Sequence, residues 1–212
     1  MYVPDLFVLE GREAAFTLMK RFDFALVVSA PGGAVTASHL PVLLDESRGE
    51  RGTLMAHMAR ANPQWRDFEA LAEAGQEIMV VFSGPHAYVS PRWYGHEGKA
   101  VPTWNYMAVH AYGPPRLVEH GPHTRRHLEH LVATQEVDMP EPWSLDGQED
   151  RYIDSMMRGI VAFEVPITRI DAKAKLSQNK TPEERVGVVT ALAASEDSLA
   201  RAVAGEMQAR GL

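Results

Sequence analysis

Between Phe24 and Asp45 the chain reads FALVVSA, then Gly32-Gly33, then AVTASHLPVLLD. Two apolar, β-branched runs joined through a glycine pair predict an antiparallel hairpin. A chain that carries such a hairpin builds outward from it, and further runs of the same kind follow. GTLMAHM is a third strand after the polar turn from Asp45 to Gly52, EIMVVFSG a buried strand and HAYVSP a shorter one. PTWNYMAVHAYGPPRLVEH reads as a long aromatic strand bent at Gly113-Pro114-Pro115, and GIVAFEVPITRIDAKAKL as a last strand that Pro166 kinks or places at an edge. Helical spacing of apolar residues marks Glu10 to Phe22, WRDFEALAEAG after Pro63, Pro122 to Glu136 and Glu149 to Arg158. Thr181-Pro182-Glu183-Glu184 is a capping-box start for a C-terminal helix, and Ser195 starts another. Six or seven strands that do not alternate regularly with helices argue against a doubly wound sheet. They predict a mainly β fold with flanking helices (α+β), an antiparallel barrel. The chain is expected to form one domain over 1–212, with inserted helices at about 119–158 and C-terminal helices at about 181–210.

With 212 residues, 45% of them apolar, the chain is long enough to bury a substantial core. Its formal charge of −7 comes from 28 acidic against 21 basic residues, and no block of lysine or arginine stands out apart from the short pair Arg125-Arg126. A broad nucleic-acid-binding face needs clustered cations, so direct DNA binding is disfavoured. There is no cysteine, which excludes disulfides, thiolate catalysis and cysteine-ligated metals. MYVPD carries no basic, apolar leader signature, and no run of about eighteen apolar residues occurs. A cytoplasmic location is expected.

The sequence lacks GxGxxG, GxxxxGK[ST], HExxH and GxSxG, and neither a carboxylate pair nor a Ser-His-Asp set can be assembled, so no catalytic residue is named. Four stretches remain as candidate contacts. In HMARANPQW, Asn62 reads as an N-cap and Pro63 as the first helical residue, making a strand–loop–helix junction that carries His57 and Arg60. Such a junction is a seat for phosphate, or else an ordinary capped helix with a surface arginine. Ser38-His39-Leu40-Pro41 interrupts an apolar strand, where the proline implies either a bulge turned to a ligand or a blunted edge. Thr103-Trp104-Asn105-Tyr106 places an amide between two aromatics, which suits a flat ligand edge or a packed aromatic core with one satisfied Asn. Lys175, Gln178 and Asn179 lie in a polar run ending the last strand, rich enough in donors for ring carbonyls or a phosphate. His120, His123, His127 and His130 form a stripe along one expected helix, flanking its apolar face. A solvated boundary row is favoured there over a metal site, and no metal is expected.

TASHLPVLLD, GTLMAHMARANPQW, VVFSGPHAYVSPRWY, VPTWNYMAVHAYG and KAKLSQNKTPEERVGVV, taken in order over nearly the whole chain, resemble the FMN-binding negative transcriptional regulators of PaiB type. That resemblance implies a split β-barrel of the flavin-reductase and pyridoxamine-phosphate oxidase kind, and a homodimer with FMN near the subunit interface. It implies that His57, Arg60 and Asn62 hold the FMN phosphate, that Ser38 to Pro41 pass the isoalloxazine ring, and that Lys175, Gln178 and Asn179 make a further contact. Arg60 is the strongest of these, since a guanidinium fork suits phosphate. Relatives generally carry Thr and Lys around the phosphate where this chain has His57 and Asn62.

Three functions follow from the resemblance. The first is an FMN-binding regulator that lowers expression of particular genes. The second is an FMN-dependent oxidoreductase whose substrate side is shaped by the strand from Trp104 to Tyr106 and the loop from Arg92 to Lys99. The third is a haem-binding or haem-degrading protein using His39, His57 or the 120–130 stripe as axial ligands.

Overall fold

A computed structural model of the chain describes residues 1–95 and 100–212. The hairpin is present: β1 (Phe24–Ser29) pairs antiparallel with β2 (Thr36–Asp45), with Leu26 opposite His39 and Val27 opposite Ser38. Gly32 and Gly33 turn the connection at φ of 57° and 89°, where a side chain would be strained. β3 (Thr53–Ala59) pairs with the far half of β2, Thr53 to Ala56 facing Asp45 to Val42. Among the described residues, Thr36 to Pro41 therefore pair with β1 alone. Pro41 sits where that edge-like half ends, a place where its missing N–H costs no ladder bond.

The remaining strands are β4 (Ile78–Val89), β5 (Thr103–Gly113), β6 (Arg116–Leu117), β7 (Ile160–Pro166) and β8 (Arg169–Lys175). Neighbours run in the order β6-β7-β3-β2-β1-β4-β5-β8. Eight strands replace the expected six or seven: one expected pair merges and two long runs divide, the aromatic run separating at Pro114-Pro115 into β5 and β6. EIMVVFSG and HAYVSP are one strand: Gly84 does not break β4 but lets it pass the backbone of Met107, whose carbonyl oxygen would lie 3.0 Å from a Cβ there. The long last run is two strands. Pro166 offers no donor to continue β7, and the next amides leave its ladder, Ile167 donating to Gly52 O at 3.0 Å and Thr168 to Tyr112 O at 2.9 Å.

The helices are α1 (Arg12–Arg21), α2 (Trp65–Glu73), α3 (Pro122–Gln135), α4 (Asp150–Met157), α5 (Pro182–Ala193) and α6 (Ser198–Ala209). The capping box of α5 forms as expected: Glu184 N donates to Thr181 Oγ1 at 3.3 Å and Thr181 N to Glu184 Oε2 at 2.9 Å. Two starts move inward by two to three residues. Asn62 Oδ1 accepts from Gln64 N at 3.0 Å and so caps a tight turn through Pro63, after which α2 begins at Trp65. Asp197 caps α6 by accepting from Leu199 N at 2.9 Å, while Ser195 accepts from Asp197 N just before it.

The chain divides into two compact units. Asp23–Val81 and Ala111–Ile170 form one, cored by Leu54, Phe68, Ile78 and Phe163, with the Phe68 and Phe163 rings edge-on at 4.9 Å. Met1–Phe22, Phe82–His110 and Asp171–Leu212 form the other, cored by Phe16, Met19, Phe82, Leu176, Leu192 and Met207. Among the described residues no helix is long and apolar enough to cross a membrane.

Candidate functional site

In the unit that contains the hairpin, the chain leaves β3 at Arg60. Arg60 N donates to Gly159 O at 2.8 Å, its Nε to Arg158 O at 2.8 Å and its Nη2 to Ile160 O at 2.9 Å. Arg158 caps α4, so the guanidinium satisfies a carbonyl that a helix end leaves without a partner. Two of the five guanidinium N–H donors are used in this way and three have no partner among the described residues. Asn62 Nδ2 donates to Ser38 Oγ at 2.8 Å, joining two of the sequence candidates, and the Ser38 hydroxyl proton has no acceptor among the described residues. Gln64, which sequence reasoning passed over, is buried and holds this corner from below. Its Nε2 donates to Val27 O at 3.1 Å, Ser29 Oγ at 3.1 Å and Thr36 O at 3.3 Å. A glutamine just ahead of an apolar helix carries no local sign that it will be buried. His39 is exposed and stacks on Phe24.

His57 turns elsewhere. Its Nδ1 lies 3.1 Å from Nε2 of His127 on α3, with the rings edge-on. His127 is thus not part of a solvated row: it is buried against β3, and burial, aided by the nearby His57 and His130, pushes its pKa down to about 4. Burial also lowers the His57 pKa. The pair is therefore neutral near pH 7. His120 precedes α3, whereas His123, His127 and His130 line a cavity of about 470 Å³ with Arg48 and Glu164, which form a two-bond ion pair at 2.6 and 2.7 Å. No group of three or more metal-ligating side chains is assembled among the described residues.

The other unit gathers the remaining candidates. Lys175 Nζ donates to Trp104 O at 2.8 Å and to Thr103 Oγ1, and burial followed by the charge of Lys173 lowers its pKa. Thr103, Lys175 and Asn179 line a cavity of about 280 Å³ together with Lys180, whose Nζ sits 3.9 Å from the centre of the Tyr94 ring. Asn105 is fully buried and bonds Ser177 Oγ at 2.9 Å, so its amide is satisfied inside the unit. Strand alternation puts Trp104 and Tyr106 on the opposite face, where Trp104 meets His86 and Tyr88, and the two aromatics do not frame the amide. Gln178 closes its own turn: its Oε1 accepts from Leu176 N at 2.7 Å and its Nε2 donates to Ala174 O at 2.5 Å. Ser177 there takes φ of 64°, a conformation few side chains adopt. The loop expected to shape a substrate side runs into 96–99, which lie outside the described residues.

The fold is that of the flavin-binding split β-barrels. The solved structure of the FAD and heme binding protein from Mycobacterium smegmatis matches with a TM-score of 0.57 at 16% identity, over 83% of this chain and 77% of that one. A conserved hypothetical protein from Mycobacterium tuberculosis matches at 0.56 and 10% identity, over 86% and 94%. Within that class, residues 1–169 match the family described as "Putative FMN-binding domain", and the chain belongs to it. It is 33% identical over 208 residues to protease synthase and sporulation protein PAI 2 of Bacillus subtilis (strain 168), covering 98% of this chain and 97% of the relative. It is also 30% identical over 207 residues to an uncharacterized protein of Emericella nidulans, covering 84% and 82%. The resemblance to PaiB-type regulators stands on this full-length similarity, and FMN is the cofactor of the family.

Proposed function

We propose that the phosphate of FMN is held at the turn after β3, by the three uncommitted N–H groups of Arg60 with Ser38 and Asn62 beside it, and that the protein acts as an FMN-binding regulator. The anchored state of Arg60 carries the assignment. A guanidinium already fixed by two carbonyls loses little conformational freedom when it meets an anion, and its remaining donors form a charge-assisted fork. The donor set fits the group: Ser38 has a hydroxyl proton to give, and Asn62 holds it in place. His39 and Pro41 lie on the half of β2 that pairs on one side only, which leaves its other backbone edge for the isoalloxazine ring. His57 contributes by shaping β3 through His127 and makes no phosphate contact itself. In the other unit, Asn105 and Gln178 hold in place the backbone around Thr103, Lys175 and Asn179, and Lys175 donates to the Trp104 carbonyl. When bound, FMN supplies redox chemistry that a chain without cysteine lacks.

The regulator reading rests on similarity to a relative named for protease synthesis and sporulation. At a net charge of −7, regulation proceeds without direct contact to operator DNA, in a cytoplasmic homodimer with the flavin near the subunit interface. FMN titration followed by flavin fluorescence tests the site. Losing a charge-assisted contact of ~1.5–3 kcal/mol on Arg60→Ala is expected to raise Kd by roughly tenfold or more. Ser38→Ala, which leaves the anchor of α4 intact, is expected to weaken binding by a smaller factor. Unchanged affinity in both variants removes the phosphate from this turn. Light scattering reads the dimer, and a mobility shift that depends on operator sequence at physiological salt overturns the indirect mode.

A further inference from the structure

The cavity of about 470 Å³ between α3 and the β3–β7 face takes no part in flavin binding as assigned above, yet it is built from groups that a simple structural role does not need. Arg48 and Glu164 neutralise each other across it. That leaves one cation and one anion. Arg126 touches the His123 ring at 2.8 Å through Nη2 and makes no ion pair among the described residues. Asp45 accepts from Ser47 N and Oγ through Oδ1 alone, and its Oδ2 has no partner among the described residues. Between them the wall is apolar, formed by Met55, Val118 and Phe163. His127 also lines the cavity. It is 7% exposed, and its Nδ1 is buried without a hydrogen-bond partner among the described residues. Such an unmet group is costly unless something else pairs with it.

We infer that this cavity binds a small zwitterion bearing an apolar side chain, such as a free apolar α-amino acid, with its carboxylate on Arg126, its ammonium on Asp45 Oδ2 and its side chain on Met55, Val118 and Phe163. The charge balance selects this class. A simple organic anion entering the cavity meets the Asp45 carboxylate, and a simple amine meets the Arg126 guanidinium, neither of which has an ion-pair contact among the described residues; only a ligand with both signs turns both into attractions. The volume lies within the range of ordinary small-molecule sites, and a few fixed polar groups around an apolar wall are their usual composition.

The test uses the full chain loaded with FMN and four probes, with calorimetry and two-dimensional NMR as readouts. L-phenylalanine and L-leucine carry both charges, 3-phenylpropanoate lacks the ammonium and 2-phenylethylamine lacks the carboxylate. Saturable binding of at least one amino acid, about tenfold or more tighter than either truncated probe, is the expected result. Arg126→Gln and Asp45→Asn should each weaken that amino acid by about fivefold or more while leaving FMN affinity and circular dichroism unchanged. Binding of 3-phenylpropanoate as tight as L-phenylalanine, or no saturable binding of either amino acid at millimolar concentration, overturns the inference. The probe series is run on the unmodified protein, so its outcome does not depend on how the variants fold, and FMN affinity is read separately.

Discussion

The buried His57–His127 pair makes acid sensitivity a quantitative expectation. Burial drives the His127 pKa from 6.5 to about 4, with the nearby His57 and His130 adding to the fall and Glu164 opposing it. In the unfolded chain the imidazole takes up its proton near pH 6.5. Between these two values the unfolded state holds a proton that the folded state refuses, so stability is full above about pH 6.5 and is lost as pH falls toward about 4. At ~1.4 kcal/mol per tenfold change in proton affinity, the whole gap is on the order of 3 kcal/mol. About 2 kcal/mol of it develops between pH 7 and pH 5. His57, whose pKa burial also lowers, acts in the same direction. The assay is urea unfolding at both pH values for the wild type and His127→Gln, which keeps a hydrogen-bonding side chain and removes the titration. Carboxylates elsewhere are common to both proteins and cancel in the double difference. The wild type is expected to lose about 2 kcal/mol more than the variant on going from pH 7 to pH 5. Equal losses would refute the assignment of a neutral, buried His127.

Gly113→Ala puts a Cβ 2.1 Å from Pro166 O, so β5 and the end of β7 must part; a destabilisation of about 2 kcal/mol or more is expected in thermal melts. Phe163→Ala removes a fully buried ring that meets Phe68 edge-on and should cost ~3–5 kcal/mol in chemical denaturation. Gln64→Ala takes the shared donor away from Val27 O, Ser29 Oγ and Thr36 O, with an expected loss of ~1–3 kcal/mol. The same variant should weaken FMN in titration, because it loosens the corner that carries Ser38 and Asn62.

The elements whose signals lie within a few residues were readable from the chain. The hairpin from Phe24 to Asp45 followed from β-branched runs flanking a glycine pair, the α5 start from Thr181 and Glu184 spaced for a capping box, and the edge character of Pro41 from its missing N–H. The turn after β3 that carries Arg60 and Asn62 was readable for the same reason, since it is written in adjacent residues. Elsewhere the outcome depended on partners far along the sequence. Gly84 reads as a break, yet it spans a close approach to Met107 within one strand, and Trp104 and Asn105 are neighbours in sequence whose side chains part to opposite faces once β5 is paired. His57 meets His127, and Arg48 meets Glu164, only because β3, β7 and α3 pack together. Periodicity states which residues share a face of a helix, but which face is buried, and against which strand, is set by the free energy of the assembled core. Whether a histidine is a solvated base or a buried neutral ring, and whether a polar side chain keeps its donors for a ligand or spends them on the fold, is decided only there.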